Sequence, residues 1–287
     1  MSADPARPRV SALQAIRISV ANLAVARRFY EAAFGVSLVA ETEVTDPVLR
    51  RLWNAEGGSL RMARLERPDS SSAAIELMEW EGCSGQPARD PRQLWDFGLL
   101  SLCLRADEAK VSDLCRLNCQ RLSEGAAETV LFTPFGDRLA VSRNAEFRSG
   151  VTLVAPSAST AEQFFVGGLG WATVCSGIQT HIAGAASIDC VHQRVFASNG
   201  SDGVEVLQFD RSADPRPSLH TANRLSPEFT GPWMLTAAAL DGCLDLVAEH
   251  LGVAVVEADV PFVGRTRAVV TRAPGGVPFG VFEPCKL

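Results

Sequence analysis

Two glutamates sit inside short apolar runs, Glu76 in Ile75-Glu76-Leu77 and Glu205 in Val204-Glu205-Val206. A carboxylate in such a setting is either paired with a cation or held ready for proton transfer. Arg17, between Ile16 and Ile18, and Arg138, just before Leu139, have strand-like flanks that could bring a guanidinium to the same place. Such an arginine neutralises the glutamate, or anchors an anionic or carbonyl-bearing ligand while the glutamate serves as general base; both readings stay open. His192 lies in Cys190-Val-His-Gln-Arg194, a strand pattern just ahead of Glu205. If the two strands pair, Glu205 and His192 would form an acid/base dyad; the alternative is a lone structural histidine.

Other chemistry is thinly represented. The chain has four histidines, at 181, 192, 220 and 250, which limits both metal ligation and general-base catalysis. Eight cysteines, at 83, 103, 115, 119, 175, 190, 243 and 285, include no C-x-x-C pair, and in a chain of this size they do not make a disulfide framework. Cys115 and Cys119 stand four apart in a helical pattern and read as small core residues. Gly167-Gly168-x-Gly170 ends a helix rather than opening one, so it is not a phosphate loop, and no G-x-S-x-G elbow occurs. A net charge of −6 excludes a phosphate-backbone footprint, so no nucleic-acid partner is expected. No apolar run is long enough to span a bilayer, and the Pro-rich start has no apolar signal core, so no membrane partner and a cytoplasmic location are expected.

The elements that must position these residues repeat. An apolar strand, a polar break and a helix closing on glycine run from Ile18 to Gly35 with Phe29 and Tyr30, and again from Leu153 to Gly170 with Phe164 and Phe165. Asn22 reads as an N-cap, Gly35 as a helix stop, and Ser159-Thr-Ala-Glu162 as a capping box. Helical patterns at Asp107–Leu122 and Gly242–Leu251, and turns at Thr133-Pro-Phe-Gly136 and Ala273-Pro-Gly-Gly276, fall in matching places. Glu81–Trp95 and Asp210–Pro232 read as connectors within each half. The division is an N-terminal arm, 1–10, a first domain, 11–145, and a second, 146–287, each with two βαβββ modules.

The strand followed by Asn22-Leu23-Ala24-x-Ala26-x-x-Phe29-Tyr30, the Phe34-Gly35 stop and the later Ile75-Glu76-Leu77 resemble the vicinal oxygen chelate superfamily. Its members include glyoxalases, bleomycin- and fosfomycin-resistance proteins and extradiol dioxygenases. The resemblance spans residues 12 to 284 and implies an α+β fold, four βαβββ modules paired into two concave mixed-sheet half-barrel domains. It also implies a divalent metal held at four strand positions by two histidines and two glutamates. Carried over, those places are Ala15, Glu76, Leu99 and Ala140 in the first half, and Gly150, Glu205, Trp233 and Gly280 in the second. With one carboxylate per set, no metal and no other cofactor is expected.

With helices on one face of each sheet, strand alternation puts Arg17, Glu76, Ser101, Cys103 and Arg138 on the concave face of the first half. Glu205, Thr152, Trp233, Leu235 and Phe282 would line a more apolar cleft in the second half. Arg17, Ser101, Arg138, Trp233 and Phe282 are the expected substrate contacts, with Glu205, His192 and Glu76 catalytic. His181, in the segment Ile178–Ser187, would belong to a lid over the cavity. Two functions remain open: a metal-independent lyase, isomerase or hydrolase acting on a small carbonyl or aromatic metabolite, or a non-catalytic small-molecule binder of the bleomycin-resistance type. The expected partner is that small molecule, with a homodimer left open.

Overall fold

The computed structural model describes residues 10–53, 58–68, 73–82, 86–87, 100–105, 108–124, 128–135, 138–142, 150–183, 186–196, 203–209, 229–239 and 242–285. The first module contains β1 (Val10–Val20), α1 (Leu23–Phe34), β2 (Ser37–Glu43), an inserted helix α2 (Pro47–Leu52), β3 (Leu60–Glu66) and β4 (Ala74–Trp80). A two-residue strand, β5 (Gln86–Pro87), precedes the second: β6 (Leu100–Arg105), α3 (Glu108–Arg116), β7 (Gln120–Glu124), β8 (Glu128–Phe132) and β9 (Arg138–Ser142). The third has β10 (Gly150–Val154), α4 (Ala158–Glu162) running on as a π-helical turn over Gln163–Gly168, β11 (Ala172–Ala183), β12 (Ala186–Phe196) and β13 (Gly203–Phe209). The fourth has β14 (Phe229–Ala239), α5 (Leu244–Leu251), β15 (Val256–Val260), β16 (Gly264–Arg272) and β17 (Pro278–Pro284). The four βαβββ units are therefore those expected.

Their pairing is not. One mixed sheet runs β15-β16-β17-β14-β1-β4-β3-β2, with β5 beside the start of β14; the other runs β11-β12-β13-β10-β6-β9-β8-β7. The first module thus shares a sheet with the fourth and the second with the third, so each sheet crosses the boundary between residues 145 and 146. The reason lies in the helices. Phe29 and Tyr30 of α1 pack against Phe135, between β8 and β9, with ring centroids 5.4 and 6.0 Å away. Modules one and two therefore stack back to back through their helices, which leaves the β1 edge for β14 and the β6 edge for β10. Phe164 and Phe165 repeat this in the other half, packing on Phe279 of β17. Trp171 stacks on Phe165, and its Nε1 donates to Val10 O at 3.2 Å, tying the third module to the start of β1.

The alternation read from the sequence holds on the helix side. Ile16, Ile18, Val20, Ile75 and Leu77 of one sheet share a continuous core with Leu102, Leu139, Val141, Val151 and Leu153 of the other. Asn22 caps α1 by accepting from Val25 N, and Gly35 ends it in the left-handed region at φ 66°. α4 starts earlier than expected, because Ser157 rather than Ser159 is its N-cap. The helical pattern over Asp107–Leu122 is cut at Arg116: Asn118 turns left-handed at φ 64° and β7 begins at Gln120. Cys119 lies beyond that helix yet is still buried in the core, with Cys115 packed alongside. Phe229–Pro232, read as connector, is strand, with Pro232 opposite Ile18. No described helix is long and apolar enough to cross a membrane.

Phe165 is fully buried and touches Phe164, Trp171 and Phe279. Phe165→Ala should lower the unfolding free energy by about 3–5 kcal/mol, read by urea titration at unchanged m-value.

Candidate functional site

Each concave face carries one row of residues paired across the strands. In the first sheet the row is Arg64 on β3, Glu76 on β4, Arg17 on β1 and Met234 on β14, each opposite the next. Arg17 Nε donates to Glu76 Oε2 at 2.6 Å, and Arg64 Nη1 donates to Glu76 Oε1 at 2.8 Å. Arg64 Nε donates to Glu66 at 2.6 Å, so two guanidiniums and two carboxylates balance. Glu76 is 1% exposed and Arg17 3%. Both oxygens of Glu76 are thus engaged by cations, and it is not a general base open to substrate. The self-neutralising reading of the Arg–Glu pair is the one realised.

The rest of that face is filled. α2 is capped by Asp46, whose Oδ1 accepts from Val48 N and Leu49 N. It delivers Leu49 and Trp53 into a second apolar cluster with Leu60, Met62, Met78, Trp80, Met234, Ala258 and Val260. Arg17 lies over the Trp53 ring, its guanidinium carbon 4.7 Å from the centroid.

The second sheet repeats the row with different residues. Arg194 on β12 stands opposite Glu205 on β13, then come Thr152 on β10, Ser101 on β6 and Arg138 on β9. Thr152 therefore occupies the position of Arg17, and Ser101 that of Met234. Thr152 Oγ1 donates to Glu205 Oε2 at 2.8 Å and lies 3.2 Å from Cys103 Sγ. Glu205 is only half-buried, while Ser101, Cys103, Arg138 and Thr152 are buried around it. A half-buried carboxylate is a group that can exchange a proton with a ligand.

This pairing redistributes the expected site residues. Ser101 and Arg138 part from Arg17 and Glu76 and join Glu205. Trp233 and Phe282 part from Glu205, because β14 and β17 belong to the first sheet; Leu235 packs in the helix-side core instead of a cleft. His192 stands opposite Leu207, two pairs along from the Arg194–Glu205 pair, so the backbone register gives Glu205 an arginine and not a histidine as its directly opposed cross-strand neighbour. His181 is opposite Ile188 in the β11–β12 hairpin, where the segment expected to form a lid is paired strand on both sides of residues 184–185. His250 ends α5, with Nδ1 2.8 Å from Leu246 O, and His220 lies outside the described residues. Arg64 was not foreseen; its signal was the arginine in Leu60-Arg-Met-Ala-Arg64-Leu65, a charge on the Met62 side of an alternating strand.

Among solved structures the chain is similar to glyoxalase I from Zea mays, with TM-score 0.58 and 13% identity over 96% of this chain and 93% of that one. It is also similar to a putative dioxygenase from Bacillus subtilis subsp. subtilis str. 168, with TM-score 0.57 and 16% identity over 97% and 87%. The chain has the vicinal oxygen chelate fold. No family model and no curated protein matches its sequence.

In this vicinal oxygen chelate fold the positions beside the two glutamates are Arg17 and Thr152, two residues beyond Ala15 and Gly150. Leu99 lies outside the described residues, and Ser101 is the residue opposite Thr152. A divalent cation asks for three or four lone-pair donors. The first row offers one carboxylate already engaged by guanidiniums, the second one carboxylate and two hydroxyls beside an arginine. Among the described residues no three His, Cys, Asp or Glu side chains group as a metal site. This donor set does not fit the metal associated with the fold.

Replacing Glu76 leaves the buried Arg17 guanidinium uncompensated, while Arg64 keeps Glu66. Glu76→Gln should lower the unfolding free energy by about 3–5 kcal/mol in urea titration, whatever its effect on ligand binding.

Proposed function

We propose that the chain is a metal-independent enzyme of the lyase, isomerase or hydrolase type, acting on a small carbonyl-bearing or aromatic metabolite, with its site on the concave face of the second sheet. The observation that carries this is the contrast between the two retained glutamates. Glu76 is 1% exposed between two guanidiniums, whereas Glu205 is half-buried and accepts from a threonine hydroxyl.

In this reading Glu205 takes a proton from, or returns it to, the carbon or oxygen that reacts. Arg138 and Ser101 stand three and two strands away in the same row, about 14 and 10 Å at the backbone given strand spacing of about 4.8 Å. That leaves space for a small ligand whose carbonyl or carboxylate oxygen meets Arg138 and Ser101 while its reacting atom meets Glu205. The displacement of His192 from the Glu205 row favours a second reading, a binding protein whose row has a glutamate and arginines but no directly opposed histidine.

The two separate on one variant. A panel of small aldehydes, ketones and aromatic acids is scored by thermal shift and by turnover. Glu205→Gln should keep the shift of the best compound and lower turnover by roughly 100-fold or more. Equal binding with no turnover by either protein selects the binder. A shift unaffected by Arg138→Met and Ser101→Val would remove the site from the second sheet.

A further inference from the structure

We infer that the outer edge of β11 is a docking surface for a second copy of this chain, which adds its own β11 antiparallel across a two-fold axis at Ile178.

β11 is an edge of the second sheet, and among the described residues β12 is the only strand that pairs with it. The opposite edge, β7, comes within 8 Å as the sheet curls yet forms no ladder with β11. Residues 172 to 178 are all exposed. An edge strand presents a row of backbone donors and acceptors to any other strand, and charged side chains are a common protection against that. The other three edges have them: Glu41 and Glu43 on β2, Arg121 and Glu124 on β7, Glu257 and Asp259 on β15. β11 reads ATVCSGIQTHIA, twelve residues without a carboxylate, a lysine, an arginine or a proline.

The apolar residues of this edge point to what covers it. Ile178 is 78% exposed and stands opposite Val191 of β12, itself 38% exposed. Val191 in turn stands opposite Gln208 of β13, whose Oε1 accepts from Ala158 N at the start of α4. The pair therefore lies on the helix-bearing face, just beyond the residue on which α4 begins. A two-fold axis at Ile178 sets that residue against its own copy. It also brings Val191, Ile178 and their copies into one apolar row across the joined sheets.

The strand suits pairing with itself. Ile178 is the midpoint of Thr173–Ala183, so eleven of the twelve residues of β11 meet the same segment of the second copy. The irregularity between Thr173 and Cys175 falls at the end of that span. With no charges, β11 meets its copy without repulsion, whereas self-pairing of β2 or β15 brings carboxylates together. A two-fold contact uses the same patch on both copies, so it closes at a dimer and hides both open edges.

Sedimentation velocity of the full-length chain over about 1–100 μM tests this. Wild type should sediment as a dimer at the upper end. Ile178→Lys and Ile178→Glu should each sediment as monomers with unchanged far-UV circular dichroism, since the side chain is exposed in the single chain. An equimolar mixture of the Ile178→Lys and Ile178→Glu chains should regain the dimer, because across the axis residue 178 faces residue 178. A wild type that stays monomeric over the whole range, or a dimer unmoved by both charged variants, overturns the inference. So does a mixture of the two variants that stays monomeric, or growth of wild type into assemblies larger than two.

Discussion

A carboxylate with 1% of its surface exposed can stay ionised only if cations replace the water it has lost, and that requirement at Glu76 organises the first sheet. Arg17 and Arg64 meet it from the two flanking strands. Arg17, itself buried, lies over the Trp53 ring and donates from Nη1 to the Met234 sulfur at 3.6 Å. Trp53 reaches that place because α2 is inserted between β2 and β3. Asp46, which caps α2 with one oxygen, accepts from Asp259 N of β15 with the other, at 2.9 Å. One aspartate therefore both starts the covering helix and fastens the first module to the fourth. That part of the concave face is a core.

The second sheet meets a milder requirement. Its row keeps the glutamate but has Thr152 where the first has Arg17, and Ser101 where the first has Met234. No helix is inserted between β11 and β12, and the sheet curls until its edge strands β7 and β11 come within 8 Å of each other. Its described concave side chains include Ser101, Cys103 and Thr152 together with Glu205 and Arg138. The two faces of this duplicated scaffold differ in which side chains flank each glutamate, Arg17 and Arg64 in one and Thr152 in the other.

The local features were legible because they depend on local physics. Alternation in Ile16-Arg17-Ile18 and Ile75-Glu76-Leu77 assigned the core and concave faces correctly, and Asn22 and Gly35 bound α1 as their chemistry requires. The partnering of modules was not legible, because a swap of first with fourth leaves every strand's own pattern unchanged. That swap moved Ser101 and Arg138 beside Glu205 and took Trp233 and Phe282 away. Cys103 and Thr152 were each readable as facing a concave surface, but on opposite halves of the chain, so their contact could not be seen. Arg64 was hidden because β3 carries charges on both faces, and only pairing with Glu76 distinguishes it from Arg61, which meets Glu41 at the surface.

The central claim is that side chains alone serve where this fold commonly uses a metal. Elemental analysis of the purified full-length chain, expressed in medium supplemented with manganese, iron, nickel and zinc and washed without chelator, tests it most directly. The account predicts substoichiometric metal and a thermal transition unmoved by adding those ions. One equivalent of a transition metal per chain, lost on replacing Glu205 or Glu76, would contradict it.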